Sequence, residues 1–442
     1  MIAPRRHRLV LTLLLTVAFA ARLAGAFWWQ AHLPQGTRFA FGDSLTYWAL
    51  GQQLARGGPF QYGSPNASVF RTPGYPLLLA ALFRVVGDDP PVIWARGLGA
   101  VMGTLAVGSV YWLARQVFDP ATGLASAGLA AVYPGAIATS VFVLSEAAFC
   151  PVMVAQLAAW VACWQAADGR RACAWAVAAG VLAGLATLVR PSWLMFVPFG
   201  LAAAMFFGRP RRRHLGLGLV MLAGLAAAMS PWWIRNWHVA GRFVPTTLQL
   251  GASLYDGLNP EADGSSRMSF VAHFEALEKE ENGTQKGFEY RLDQRLRHAS
   301  LAWAAEHPGR VLGLAAVKFI RLWNIWPNVA EHRGWTLRLV TLLSYAPALM
   351  LGLAGVWRQR GRGWPVVLTW LPAVYLTALH VVFVSSIRYR EPAMLVLLVP
   401  AAAVLRNCWI YGRSDACATR RDAERPGSRS HAERGNEKRH AE

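Results

Sequence analysis

Ten apolar runs, most of them about 20 residues long, follow one another along this 442-residue chain, and a run of that length at 1.5 Å per residue crosses a hydrocarbon core. The runs lie at residues 9–29, 91–114, 121–139, 146–165, 173–189, 191–207, 215–234, 336–356, 364–384 and 389–406. With 55% hydrophobic residues and a mean hydropathy of +0.29, the expected fold class is an all-α polytopic membrane protein. The first run follows Arg5, Arg6 and Arg8 but ends in Phe27, Trp28 and Trp29. That aromatic end suits an uncleaved first span rather than a secretory signal.

The formal charge of +20 has a topological explanation. Arg170 and Arg171, residues 209–213, residues 358–362 and the tail after Arg406 fall in alternate loops, as the positive-inside rule requires. The expected topology puts both termini in the cytoplasm of an inner-membrane protein. The same placement argues against a nucleic-acid partner. Cys150, Cys163, Cys173, Cys408 and Cys417 form neither a disulfide framework nor a zinc spacing.

This topology divides the chain into a membrane module at 1–235, whose first external loop is 30–90, and a second external region at 236–335. C-terminal membrane helices at 336–406 and a disordered basic cytoplasmic tail at 407–442 complete it. Residues 73–86 are apolar but too short to span, and read as interfacial or re-entrant. Residues 308–327 carry Lys318 and Arg321 inside an apolar run and also read as interfacial. Phe288, Leu292, Leu296, Ala299 and Trp303 form a helical stripe that lies on the membrane or covers the site.

Asp43 and Glu146 are the two acidic residues expected at outer helix ends, in FGDSLTYW and VLSEAAF. A carboxylate in a first turn can cap the helix, or it can act as a base. Around them, Arg22, Arg71, Arg96, Arg190, Arg235, Arg388 and Arg390 fall at or near outer ends of apolar segments, where topology does not ask for them. Each could pair with a carboxylate or snorkel. Together they suit an anion, because guanidinium grips phosphate oxygens bidentately and keeps its charge. A carboxylate beside such a cluster suggests transfer of a sugar from a lipid phosphate to an acceptor hydroxyl. No phosphate-cradling glycine loop of the nucleotide type is present.

The segments RLAGAFWW, FGDSLTYWALGQQLARGG, FRTPGYPLL, LSEAAF, LVRPSWL, SPWWIRNWHVAGRFVP and RYREP resemble, in order and spacing, the GT-C fold membrane glycosyltransferases. The resemblance is to the bacterial branch related to protein O-mannosyltransferases and lipid A aminoarabinose transferases. It implies a polyprenyl-phosphate sugar donor, inverting transfer at the outer face, and a lipid, glycan or protein acceptor. The family's catalytic Asp falls on Asp43, and its outer-face arginines on Arg190, Arg235 and Arg388 and, less closely, on Arg22, Arg71 and Arg96. Many members carry Asp-Glu where this chain has Asp43-Ser44, and Glu146 is a candidate for the second carboxylate. Some members use a divalent metal, although the sequence shows no ligand cluster for one. Two other readings share the phosphate site: a transporter or flippase for a lipid-linked anion, and a polymerase or ligase using a pyrophosphate-linked chain.

Overall fold

The computed structural model describes residues 4–62, 68–284, 287–326 and 334–423. Its helices are α1 (Pro4–His32), α2 (Gly42–Ala55), α3 (Gly74–Val86), α4 (Ile93–Val117), α5 (Pro120–Val132), α6 (Pro134–Val141), α7 (Ser145–Gln165), α8 (Gly169–Val189) and α9 (Phe196–Phe207). They continue as α10 (Arg211–Ala240), α11 (Leu250–Gly257), α12 (Phe270–Asn282), α13 (Phe288–Glu306) and α14 (Pro308–Trp323). The last four are α15 (Trp335–Gln359), α16 (Trp364–Val367), α17 (Leu371–Val382) and α18 (Glu391–Ala423).

Among the described residues, seven helices are long and apolar enough to cross a membrane: α1, α4, α7, α8, α10, α15 and α18. The other three expected spans are helical too, but shorter or broken. Residues 121–139 become α5 and α6, bent by 57°. The bend sits at Tyr133, which takes an extended backbone (φ −65°, ψ 116°) before Pro134, as steric conflict with a following proline ring favours. Residues 191–207 begin with a 3-10 turn, Pro191–Trp193, before α9, and 364–384 divide into α16 and α17. At 407–442, where a disordered tail is expected, α18 continues to Ala423, and 424–442 lie outside the described residues.

Helix starts follow local chemistry. Asp119 caps α5, accepting from the Ala121 and Thr122 amides with Pro120 at the first helical position, and Asp168 caps α8 in the same way. The bundle closes through small residues. Gly180 and Gly184 on α8 sit directly against α10, and Gly99 and Gly103 on α4 against Ser140 of α6, as expected where van der Waals contact drives helix association.

The 13-residue α3 packs on α2 outside the long helices. Gly51 makes that contact possible, because a Cβ there would meet Leu79 Cβ at 2.8 Å. In the second external region, Phe288 and Leu296 of the expected stripe are buried, and α13 packs on α11. Asp293 Oδ1 accepts from the Gly251 amide at 2.6 Å across that contact. The 308–327 segment supplies α14, which packs on α17 and on the 3-10 turn Ile387–Arg390 before α18; Pro327 lies outside the described residues.

Candidate active site

Asp43 stands in the first turn of α2, where free amides and the helix dipole favour a carboxylate. Its Oδ1 accepts from Arg71 Nη2 at 2.7 Å and its Oδ2 from Arg388 Nη2 at 2.9 Å. Glu146, in the first turn of α7, is 3% exposed. Its Oε1 lies 2.7 Å from Arg190 Nη1 and 3.8 Å from Arg388 Nε. Arg388 therefore joins two ion pairs, and the sequence Arg71, Asp43, Arg388, Glu146, Arg190 alternates in sign. Three guanidiniums against two carboxylates leave one positive charge in excess.

The supports are aromatic. Arg388 lies over the Phe41 ring at 5.2 Å and donates to the Tyr389 hydroxyl at 2.9 Å. Arg71 lies over Tyr47 at 5.1 Å and donates to Gln249 Oε1 at 3.2 Å. Burial by itself would raise the Asp43 carboxyl, but the Arg71 and Arg388 charges and hydrogen bonds outweigh it and hold it down to about 2.

Because α7 and α8 are joined by a short connection and pack together, Glu146 at the start of one and Arg190 just after the other share one end of the bundle. Arg170 and Arg171, at the start of α8, mark the opposite end. The site thus lies across the bundle from that basic cluster.

The remaining arginines take other partners. Arg22 is buried and donates to the carbonyls of Ala18, Ala130 and Ala131, the last two at the open end of α5. Arg96 donates to Gln30 Oε1 and the Val141 carbonyl, both at 3.0 Å. Arg235 donates to Asn236 and the Phe60 carbonyl and lies over Trp232. Arg390 donates to the Leu322 and Asn324 carbonyls and lies 3.5 Å from the Tyr345 ring centroid. None of these four joins the Asp43 cluster through a contact described for it. Sequence reasoning missed Tyr389, Gln249, Phe41 and Tyr47, all of which touch the cluster. Tyr389 lies between the two arginines of RYREP, and Phe41 and Tyr47 lie beside Asp43 in FGDSLTYW; Gln249 had no such signal.

A cavity of about 350 Å³ adjoins the cluster, walled by Trp28, Trp29, Phe41, Ile137, Phe142 and Tyr345. Its lining is mostly apolar, and Arg388, Arg390 and Glu391 are its charged wall residues.

The donor set does not fit a divalent cation. Both Asp43 oxygens are held by guanidinium, Glu146 is paired, and among the described residues no group of three or more His, Cys, Asp or Glu side chains could hold a metal.

Residues 70–234 match the family of dolichyl-phosphate-mannose-protein mannosyltransferases, a stretch that includes Arg71, Glu146 and Arg190. No curated protein matches the chain by sequence. Among solved structures, the chain is similar to the archaeal oligosaccharyltransferase AglB from Archaeoglobus fulgidus in complex with an inhibitory peptide and a dolichol-phosphate. The TM-score is 0.60 at 18% identity, covering 93% of this chain and 52% of that one. The AglB structure tethered with an acceptor peptide gives a TM-score of 0.56 at 17% identity, with 90% and 49% covered. ArnT from Cupriavidus metallidurans bound to undecaprenyl phosphate gives 0.40 at 17% identity, with 89% and 77% covered. The chain spans about half the length of AglB. Its helical architecture, from α1 through the C-terminal spans, is the GT-C fold of membrane glycosyltransferases.

Proposed function

We propose that this protein is a glycosyltransferase that moves a sugar from a polyprenyl-phosphate donor to an acceptor hydroxyl at the outer face of the cytoplasmic membrane. The observation that carries the reading is Arg388. It contacts Asp43 and Glu146 on one side and lines the apolar cavity on the other. A guanidinium at the polar end of a greasy cavity suits a ligand with a phosphate head and a hydrocarbon tail.

The Asp43 carboxylate takes the proton of the acceptor hydroxyl as that oxygen bonds to the anomeric carbon. The bond from that carbon to the phosphate oxygen breaks, and its electron pair leaves with polyprenyl phosphate. Attack opposite the leaving group inverts the centre. Arg388, Arg190 and Arg71 stabilise the charge gathering on the phosphate. The base is weak while two arginines hold it, so proton transfer comes late, after bonding to carbon has made the hydroxyl acidic. Donor phosphate competing for Arg388 also loosens that hold. The atoms balance without redox chemistry.

Charges gathered at helix ends support an enzyme over a transporter, whose ion sites lie near the bilayer midplane. The test is release of polyprenyl phosphate from polyprenyl-phosphate sugars by protein in lipid vesicles, with an envelope extract as acceptor. Asp43→Asn should lower release by at least about a hundredfold. Equal release by both proteins removes Asp43 from the chemistry, and lipid crossing the bilayer with no release favours the transporter.

A further inference from the structure

A buried amine fastens the second external region to the segment that carries Arg388. Lys318, within α14, is 0% exposed, and its Nζ donates to the carbonyl oxygens of Gly257 at 2.8 Å and Val382 at 2.6 Å. Gly257 ends α11 and Val382 ends α17. One ammonium thus satisfies carbonyls left open at two helix C-termini, where the dipoles also favour positive charge.

The two ends approach through bare backbone. A Cβ on Gly257 would lie 2.8 Å from the Val382 oxygen and 3.2 Å from Lys318 Nζ. Just past Val382, the Ser385 amide donates to the Gly264 carbonyl at 3.0 Å. The chain then enters the Ile387–Arg390 turn, where Arg390 holds the Leu322 carbonyl at the end of α14. Contacts to α14 and to the 257–264 segment thus bracket Arg388 in the chain, beside its own pairing with Asp43 and Glu146 and the packing of Arg390 on Tyr345.

We infer that Lys318 is a positioning residue: by joining the ends of α11 and α17 it sets where Arg388 meets Asp43 and Glu146. This rests on the reading of Arg388 as a donor-phosphate ligand. Removing the amine leaves two carbonyls unpaired in a dry setting, which costs more than the lost bonds. The preceding segment then relaxes, and Arg388 shifts relative to Asp43.

The charge is itself titratable. Burial lowers the Lys318 ammonium to about 8, against the opposing pull of Asp256. The other charged or titratable groups nearby are Asp263, paired with Arg267, Arg310, which donates to the Ala262 carbonyl, Arg321 beside Gly264, and His380 on α17, whose Nδ1 meets the Val384 carbonyl.

The experiment uses the full chain in lipid vesicles and compares wild type with Lys318→Met, which keeps the side-chain length. Two quantities are read: amide hydrogen exchange over residues 383–390, and turnover of undecaprenyl-phosphate sugar per bound undecaprenyl phosphate. The expected result is faster exchange in that segment and turnover lower by about a hundredfold, the size of loss that an ångström of misplacement produces. Wild-type turnover should also fall above about pH 8, while the residual turnover of the variant stays level there. Unchanged exchange, or unchanged turnover, overturns the inference. If wild type shows no turnover, the glycosyltransferase reading fails and the exchange comparison still decides the positioning role. If that variant does not fold, Gly257→Ala, whose Cβ would meet the Val382 oxygen at 2.8 Å and so part the two helix ends, is compared with wild type over 383–390. Faster exchange in that variant supports the inference, and no change overturns it.

Discussion

Arg388 and Asp43 lie 345 positions apart in the chain and meet at 2.9 Å. The same guanidinium stands 3.8 Å from Glu146, so one side chain from the last membrane segment closes a site begun by α2 and α7. Arg388→Lys should therefore be far from conservative. An ammonium is a point charge and cannot span Asp43, the Tyr389 hydroxyl and a phosphate together. Turnover should fall by about 10²–10³, as for loss of one donor to a developing oxyanion. Steady-state release of undecaprenyl phosphate measures it; a Lys variant within about threefold of wild type would remove Arg388 from the transition state.

The two arginines also fix the pH behaviour of Asp43, the proposed base. Asp43 is held near 2, below its ordinary carboxylate value, so it is charged at every working pH. The stability that this shift contributes is fully present above the unfolded value near 3.9, declines below it, and is gone once pH has fallen through the folded value near 2. The acid side of kcat/KM should thus be level from pH 8 down to about pH 5. Arg71→Gln removes one of the two charges and lets burial raise the carboxyl. An acid limb should then move upward toward the measured range. A wild-type limb centred near pH 6 that vanishes in Asp43→Asn would contradict the clamped carboxylate.

The arginines that converge on Asp43 and Glu146 lie at helix boundaries, whereas Arg22, Arg96 and Arg235 lie inside helices. Arg390, in the same turn as Arg388, shows that a boundary position is not sufficient, because it reaches the Leu322 and Asn324 carbonyls instead. Arg190 ends α8 before Pro191, Arg71 sits in the loop before α3, and Arg388 lies in the turn before α18. All three lie outside the α-helices and can converge. Arg22 and Arg96 lie within α1 and α4 and reach carbonyls on neighbouring helices. That choice depends on which helix end comes to rest beside them, a fact of packing that no local pattern carries. The partners of Lys318 depend on packing in the same way. A charge within an apolar run reads as a sign of water nearby, whereas the amine is dry and satisfied by two helix ends. The ten apolar runs did predict ten helical stretches, but hydropathy counts apolar residues and is blind to the 57° bend at Tyr133.

Glu146 and Arg190 form a pair that is almost wholly buried, at 2.7 Å. Removing one partner of such a pair costs about 3–5 kcal/mol because the other charge is stranded. Glu146→Gln keeps shape and one acceptor, so a loss of about 3 kcal/mol is expected, read as a lower midpoint of thermal inactivation. At the same time Arg190 and Arg388 lose a competitor for phosphate. Affinity for undecaprenyl phosphate should hold or tighten by up to about tenfold, or 1.4 kcal/mol. Weaker binding in the Gln variant would mean that Glu146 itself contacts the donor.

The crossing of α8 and α10 sets the height of Arg190. A Cβ on Gly180 would lie 2.0 Å from the Met221 carbonyl oxygen, so Gly180→Ala must push two backbones apart. Overpacking of this kind costs about 1–3 kcal/mol, and it displaces the end of α8 that presents Arg190 to Glu146. Both stability and turnover should fall. Gly216 on α10 has nothing within 4 Å of its added Cβ, and Gly216→Ala should instead match or exceed wild type, since alanine favours a helix over glycine by about 1 kcal/mol. Thermal inactivation and turnover measured on both variants in the same vesicles separate the two effects. If Gly180→Ala were as stable and active as Gly216→Ala, the close crossing would not be what holds Arg190 in place.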